Sequence, residues 1–344
     1  MSPVHAPFRW LGAAMNRKAV SLLSGGLDSI LATKLIMDQG IEVEALHFTS
    51  VFCTCTKGDK GCGMQAPRTA RELGIKITVR MKGLDYLEIL KKPKYGYGRG
   101  MNPCIDCRIY TLKKAREFMD EIGASFVITG EVLGQRPMSQ RRDAIKRIEE
   151  ESGLRGLIVR PLSAKHFSST EPEKAGILDR EKLLDIEGRS RKRQYELVEN
   201  FHLTEFGCPA GGCLLTDPVF AGRVKDLLAQ AADITMKDLT LLRIGRHFRL
   251  SRDAKLILGR NKEENDRIAF LWSPPETILR PSGFKGPTGL IRAGLDGAVL
   301  ETAANLMAFY GKVPGPEVTI ESDNGTHLHH TVPVAPIDPE GAAM

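Results

Sequence analysis

Aromatic residues are scarce: Phe, Trp and Tyr make up 6% of the 344 residues, with only two tryptophans. A surface that stacks successive bases of a single strand needs several such rings. Any nucleic-acid partner is therefore expected to be recognised by shape and phosphate. No apolar run reaches the length of a membrane span, so a soluble protein with no membrane partner is expected. The opening stretch "MSPVHAPFRWLGAAMNRK" holds only a short apolar patch, too weak for a secretory signal. A cytoplasmic location is expected, with residues 1–14 as a loose extension. No internal repeat is visible. The sequence also lacks the lysine of the common nucleotide-binding loop where one would look for it, in "SGGLDS" at residues 24–29.

What is present is an ordinary globular composition, 42% hydrophobic and 26% charged, in a chain long enough for two domains. The net charge of +7, from 49 basic and 42 acidic residues, permits a nucleic-acid partner without requiring one. Seven cysteines, an odd number and clustered, in a chain expected to be cytoplasmic, point to metal or catalysis rather than structural disulfides.

Hydrophobic patterning predicts strands at residues 18–23, "IEVEALHF", "IKITVR", "SFVITGE" and "LRGLIVRPL", with helices between them. After the first loop, Leu27, Ile30, Leu31 and Leu35 fall on one helical face, and Gly40 ends the pattern. Such alternation predicts an α/β fold with a parallel sheet covered on both faces. Right-handed crossovers then bring the loops "SGGLDS", "HFTS", "TGE" and "RPLSA" to one sheet edge, where open α/β sheets bind ligands. The rhythm changes after Leu214. The expected division is a first domain at 15–213, a smaller α+β domain at 215–312, and a flexible tail at 313–344, which holds five prolines.

The two adjacent glycines let backbone N–H groups approach a phosphate, and Ser24 and Ser29 add hydroxyl donors. The following helix directs its N-terminal amides and dipole at the same point. Asp28 alone is out of place there, since a carboxylate repels phosphate; a Mg²⁺ ion between the two would remove the conflict. A plain glycine turn with Asp28 and Ser29 capping the helix is the plainer alternative.

"SGGLDS" matches the SGGxDS signature of the PP-loop ATP pyrophosphatases, so the chain resembles that superfamily. The resemblance implies an adenine-nucleotide α-hydrolase fold that grips the pyrophosphate of ATP. It further implies AMP transfer to a carbonyl oxygen, after which a nucleophile replaces the AMP. A loop that neutralises pyrophosphate stabilises the leaving group of that adenylation. On this resemblance Ser24, Gly25, Gly26, Leu27, Asp28 and Ser29 would hold ATP and Mg²⁺. His47 and Phe48 would lie by the adenine, Gly130 and Glu131 by the α-phosphate or ribose, and Arg136 near the phosphates.

The nucleophile, ammonia or sulfide, is not specified by the loop; no glutaminase signature accompanies it. "NPCIDC" places Cys104 and Cys107 in a CxxC just before a helix, where thiol pKa values fall. It resembles the NPxxxC segment of MnmA-type tRNA 2-thiouridylases, and "GGCLL" resembles the segment with their second cysteine. This implies catalytic roles for Cys107 and Cys213, beside Asp28 in the loop. In ThiI-like and related thiolases three such cysteines hold an iron–sulfur cluster. Carried over, Cys104 and Cys107 with Cys213 or Cys208 would be ligands of a [4Fe–4S] cluster whose open iron takes sulfide. A persulfide on one cysteine resolved by another, and a structural zinc site, remain alternatives. Cys53, Cys55 and Cys62, in a C-x-C-x₆-C pattern, fit no standard zinc spacing and read as a loop with accessory metal binding at most.

Two basic runs lie near the expected active edge: Arg136, Arg141, Arg142, Lys146 and Arg147, then Arg189, Arg191, Lys192 and Arg193. They would grip nucleic-acid phosphate or form solvated helix faces. Further on, "LRIGRHFRL" and "KLILGRNKEEND" resemble the NFACT-R RNA-binding module, with Arg243, Arg246, His247, Arg249 and Arg260 expected to present a basic surface. The expected activity is ATP-dependent thiolation of a tRNA uridine, with tRNA and a sulfur donor as partners. Two rivals are a PP-loop ligase or amidotransferase on a small molecule with structural zinc, and a non-enzymatic RNA-binding or sulfur-carrier protein.

Overall fold

The computed structural model describes residues 15–54, 62–204, 206–207, 212–231, 233–313 and 315–342. It divides into two compact units, 1–216 and 217–344. The first is built on strands β1 (Lys18–Leu22), β2 (Glu42–Thr49), β3 (Ile77–Met81), β4 (Phe126–Ile128) and β5 (Ile158–Val159). All are parallel, in the order β3-β2-β1-β4-β5.

β1 is central and its residues after Lys18 are buried, as a strand covered on both faces must be. Ala19 and Val20 belong to the separate apolar clusters on the two sides of the sheet. The helix Leu27–Met37 packs its Ile30, Leu31 and Ile36 into one cluster, and the helix Cys104–Glu121 packs Ile109, Leu112 and Phe118 into the other. Strand order reverses at β1, so the loops after β1 and β4 diverge there and leave the crevice expected of an open α/β sheet. No helix among the described residues is long and apolar enough to cross a membrane.

The second unit holds a six-stranded sheet ordered β11-β10-β8-β9-β7-β6, from β6 (Arg246–Arg249), β7 (Lys255–Leu258), β8 (Thr277–Ser282), β9 (Gly289–Ile291), β10 (Glu317–Asp323) and β11 (His327–Pro333). Its paired neighbours are all antiparallel. The helix Gly297–Tyr310 covers it with Val299, Ala303, Leu306 and Met307.

The flexible tail expected at 313–344 is not what the structure has: the paired strands β10 and β11 lie within it. The segment is a period-2 hairpin. Val318, Ile320 and Ser322 are buried while the residues between them face outward. Prolines that read as disorder stand at the ends of the strands, Pro316 before β10 and Pro333 closing β11, where a missing N–H costs little. Gly325 makes the turn at a φ of 106°, its N–H donating to Asp323 Oδ1 at 2.9 Å.

Ile320 is fully buried in this core. Ile320→Ala is expected to lower the stability of the second unit by about 2–5 kcal/mol in urea titration. A tail would show no change.

Candidate active site

The loop is shaped by close backbone approaches. Gly25 has a φ of +78°, and a Cβ there would stand 2.8 Å from the Ala66 backbone nitrogen. Its carbonyl accepts the Gly207 N–H at 2.8 Å. Gly130, after β4, has no room for a side chain, because a Cβ would lie 2.5 Å from the Ser29 nitrogen and the Asp28 carbonyl carbon. Ser24 and Ser29 hydroxyls lie 3.0 Å apart, and Ser29 Oγ donates to the Gly26 carbonyl at 2.8 Å. Gly26 is the N-cap of the helix beginning at the buried Leu27, and no side chain caps it. The site therefore offers hydroxyls and an uncapped helix N-terminus to an anion.

Asp28, the residue at odds with phosphate in the sequence, is neutralised within the protein. Gln135 Nε2 donates to its Oδ2 at 2.7 Å, Gln194 Nε2 to its Oδ1 at 3.4 Å, and an Arg191 amino group lies 3.9 Å away. Sequence reasoning assigned Arg191 to an RNA-facing run and gave no role to the two glutamines. Only the fold carries residues 191 and 194 to residue 28. His47 is not placed as an open adenine contact: it is buried, with Nδ1 2.8 Å from the Leu23 carbonyl, and supports the start of the loop from beneath. Burial lowers its pKa, with the backbone bond acting against the shift, so the ring is neutral at physiological pH. Phe48 is half-buried and lines a shallow cavity of about 340 Å³ with Arg80, Met81 and Tyr110.

Glu131 is buried and paired within the protein. It is buried between two guanidinium groups, Arg108 Nε at 2.7 Å and Arg160 Nε at 3.0 Å. Burial alone would raise its pKa, but the two arginines outweigh burial and bring it down to about 2. Arg108 sits one residue after Cys107 in the helix Cys104–Glu121. Glu131 therefore ties the helix carrying the CxxC to Gly130, which touches the loop.

Four thiols meet at this edge: Cys53, Cys104, Cys107 and Cys213, all half-buried. Cys213 is brought in by pairing between residues 52–54 and 212–214, with the Leu214 N–H donating to the Phe52 carbonyl at 2.8 Å and a bridge between Cys53 and Cys213. Cys53, set aside on spacing, is thus a neighbour of Cys213. Its position just after β2 was the available signal. Cys55 and Cys208 lie outside the described residues, and Cys62 opens the helix Cys62–Glu72.

The thiols differ electrostatically. Burial pushes Cys107 up, but Lys82 Nζ at 2.9 Å, the Tyr86 hydroxyl and Arg108 outweigh it, so its pKa lies below the ordinary thiol value. Burial pushes Cys213 up to about 12, and the other cysteines add to this. Burial also raises Cys104, against the Asn102 amide at 3.0 Å and the more distant Arg136 charge. Cys107 is therefore the thiol biased toward the thiolate, while Cys104 and Cys213 are biased toward the protonated form. Lys82, at the end of β3, was missed because a lone lysine after a strand carries no motif.

The donor set, all thiols, suits soft-metal and iron–sulfur binding. A single tetrahedral zinc with Zn–S bonds of about 2.3 Å would hold its sulfurs roughly 3.8 Å apart. Among the described residues, no three thiols lie within 4.8 Å of one another. Cys208 lies outside the described residues; a cluster anchors each thiolate on a different iron and so accepts wider spacing than one zinc ion.

Beyond β5, Arg142, Lys146, Arg155 and Arg160 line a cavity of about 530 Å³ that includes no loop residue. In the second unit, His247 is buried with Nε2 3.0 Å from the Ile244 carbonyl, Arg249 pairs with Asp226 at 2.6 Å, and Arg260 pairs with Glu264. Burial holds His247 well below its usual pKa, so it is neutral. These three do not supply the free basic surface expected of them.

Lys82→Met is expected to move the alkylation midpoint of Cys107 up by at least one pH unit (about 1.4 kcal/mol per unit), read by peptide-resolved iodoacetamide labelling. Glu131→Gln removes the carboxylate shared by the half-buried Arg108 and the buried Arg160, which keeps Glu149, and is expected to cost about 3 kcal/mol in denaturant titration at pH 7. In the wild type the Glu131 contribution is full above the ordinary carboxylate value of 4.5 and fades as pH falls toward 2. The variant profile should be flatter over that window.

Residues 14–167 match the family model described as thiamine biosynthesis protein (ThiI), and residues 245–343 match that of the NFACT protein RNA binding domain. A probable tRNA sulfurtransferase of Lysinibacillus sphaericus is 32% identical over 120 residues, 35% of this chain and 29% of that protein. The tRNA-specific 2-thiouridylase MnmA of Clostridium acetobutylicum is 30% identical over 131 residues, 34% and 36% of the two chains. A probable tRNA sulfurtransferase of Thermococcus kodakarensis is 30% identical over 169 residues, 49% and 39%. The chain spans about a third of the length of these curated relatives. Among solved structures, a 4-thiouridine synthetase–RNA complex with bound ATP aligns with a TM-score of 0.35 and 24% identity over 65% of this chain and 52% of that one. U34-tRNA thiolase NcsA from Methanococcus maripaludis, with its [4Fe-4S] cluster, aligns at 0.30 and 16% over 66% and 70%. Superpositions this loose decide nothing about chemistry. The two family matches fall on different units: the ThiI match within the first and the NFACT RNA-binding match within the second.

Proposed function

We propose that the protein thiolates a uridine of tRNA at the expense of ATP. The observation that carries this reading is a lysine-contacted cysteine, Cys107, with its pKa lowered, at the same sheet edge as the "SGGLDS" loop and tied to it through Arg108, Glu131 and Gly130. A ligase using ammonia has no need of a stabilised thiolate beside its ATP loop. The names of the sulfurtransferase and thiouridylase relatives support the same reading, as does the RNA-binding match in the second unit.

In this mechanism the loop amides, Ser24 and Ser29 receive the pyrophosphate part of ATP, with Mg²⁺ completing charge balance near Asp28. A uridine carbonyl oxygen attacks the α-phosphorus, the bond to the β-phosphate oxygen breaks, and pyrophosphate leaves. Sulfide sulfur then bonds to the activated carbon, and the C–O bond breaks with AMP as leaving group. No net electron transfer is needed when the donor is at the oxidation level of sulfide. Cys104, Cys107 and Cys213 would hold a [4Fe–4S] cluster, which when bound supplies an open iron for that sulfide. Lys82 favours the thiolate of Cys107, while burial favours the protonated form of Cys213.

The test incubates the full chain, purified anaerobically, with ATP, tRNA and sulfide. Digested tRNA is then searched for thiolated nucleosides by mass spectrometry. Thiolated uridine is expected, with a loss of at least about 100-fold for Cys107→Ser and for Asp28→Ala. Pyrophosphate release without RNA would replace this reading with a small-molecule ligase; no release at all would leave a binding protein.

A further inference from the structure

The β10–β11 hairpin carries a side-chain cluster that the thiolation chemistry does not use. Glu321 on β10 stands directly opposite His329 on β11, and His327 is two residues back on the same face. His327 Nε2 lies 3.7 Å from one Glu321 oxygen, and His329 Nδ1 lies 3.9 Å from the other. The two imidazoles meet edge to face with centroids 5.4 Å apart. One donor atom from each of the three residues falls within 4.8 Å of the other two.

The strand period explains the grouping. His327 and His329 at i and i+2 must share a face, and antiparallel register puts Glu321 across from them. His330 takes the opposite face, where it meets the Ser322 hydroxyl at 2.7 Å. We propose that Glu321, His327 and His329 form a zinc-binding site that staples the outermost strand of the second sheet to its neighbour.

Two imidazoles and a carboxylate are a standard zinc donor set, with a water completing the tetrahedron. Bonds of about 2.0–2.2 Å require donor atoms roughly 3.3–3.5 Å apart. The observed separations need only small side-chain rotations. Glu321 is held by an inner strand, paired on one side with β8 and on the other with β11, and flanked by the buried Ile320 and Ser322. β11 pairs only with β10 in this sheet, so a metal link would restrain a strand held along one side. Two further charges face the site. Asp323 stands opposite His327 and favours a cation. Arg280 on β8 stands opposite Glu321, lies over the Trp272 ring, and opposes a cation. Binding in the micromolar range is the expectation. Both histidines must be neutral to ligate, so binding should disappear as pH falls below the imidazole range.

Calorimetric titration of the full chain with zinc chloride at pH 7.5 tests this. Any zinc held elsewhere in the chain is common to all forms and cancels in the difference. The wild type should take up one more equivalent than His327→Ala/His329→Ala, and Glu321→Gln should weaken that equivalent at least tenfold. The extra equivalent should vanish at pH 5.5, and zinc should raise the melting temperature of the wild type alone. His327→Asn, at an exposed position, serves as a second variant should the double variant melt early without metal. Equal zinc stoichiometry in the wild type and His327→Asn, or an extra equivalent that survives at pH 5.5, overturns the proposal.

Discussion

The first unit depends on Glu131, a carboxylate held in the dry interior between Arg108 and Arg160. Two guanidinium groups around one buried carboxylate form a rigid junction, because displacing the arginines leaves the buried Glu131 charge without a partner. Arg108 fixes the helix with Cys104 and Cys107, Arg160 fixes the chain after β5, and Gly130 beside Glu131 presses on the loop after β1. Three crossovers of the sheet are thereby registered to one another at the edge where ligands bind. Glu131 thus organises the site from a buried position.

On that frame the electrostatics separate otherwise similar cysteines. Cys107 gains a lysine, a tyrosine hydroxyl and a nearby guanidinium, whereas Cys213 faces burial and other sulfurs. A pair that must not ionise together is suited to sulfur chemistry, in which one sulfur attacks or ligates while another holds its proton. The same local balance acts at Asp28, where Gln135, Gln194 and Arg191 let a carboxylate sit inside an anion-binding loop.

In the second unit many basic residues have internal partners. Arg249 and Lys255 share Asp226, Arg260 is held by Glu264, and His247 is neutral in the core. A count of basic residues read from the sequence therefore overstates the free cations this unit presents.

The parallel sheet, its alternation with helices and the anion-binding loop were legible because they are local: apolar period, two glycines and a helix start lie within a few residues of one another. "SGGLDS" and "NPCIDC" likewise carry their chemistry in contiguous letters. The hairpin at 317–333 was misread because its prolines resembled a tail, although its period-2 pattern was present. Arg191 at Asp28, Lys82 at Cys107, and Cys53 beside Cys213 were decided by tertiary structure alone. Each pair is separated by 25 residues or more and has no pattern in common, so only the folding of the sheet edge brings the charges and sulfurs within reach. The sequence by itself determined which groups were available and where the loop would turn. The fold decided which thiol gives up its proton more readily, because that depends on distance and burial.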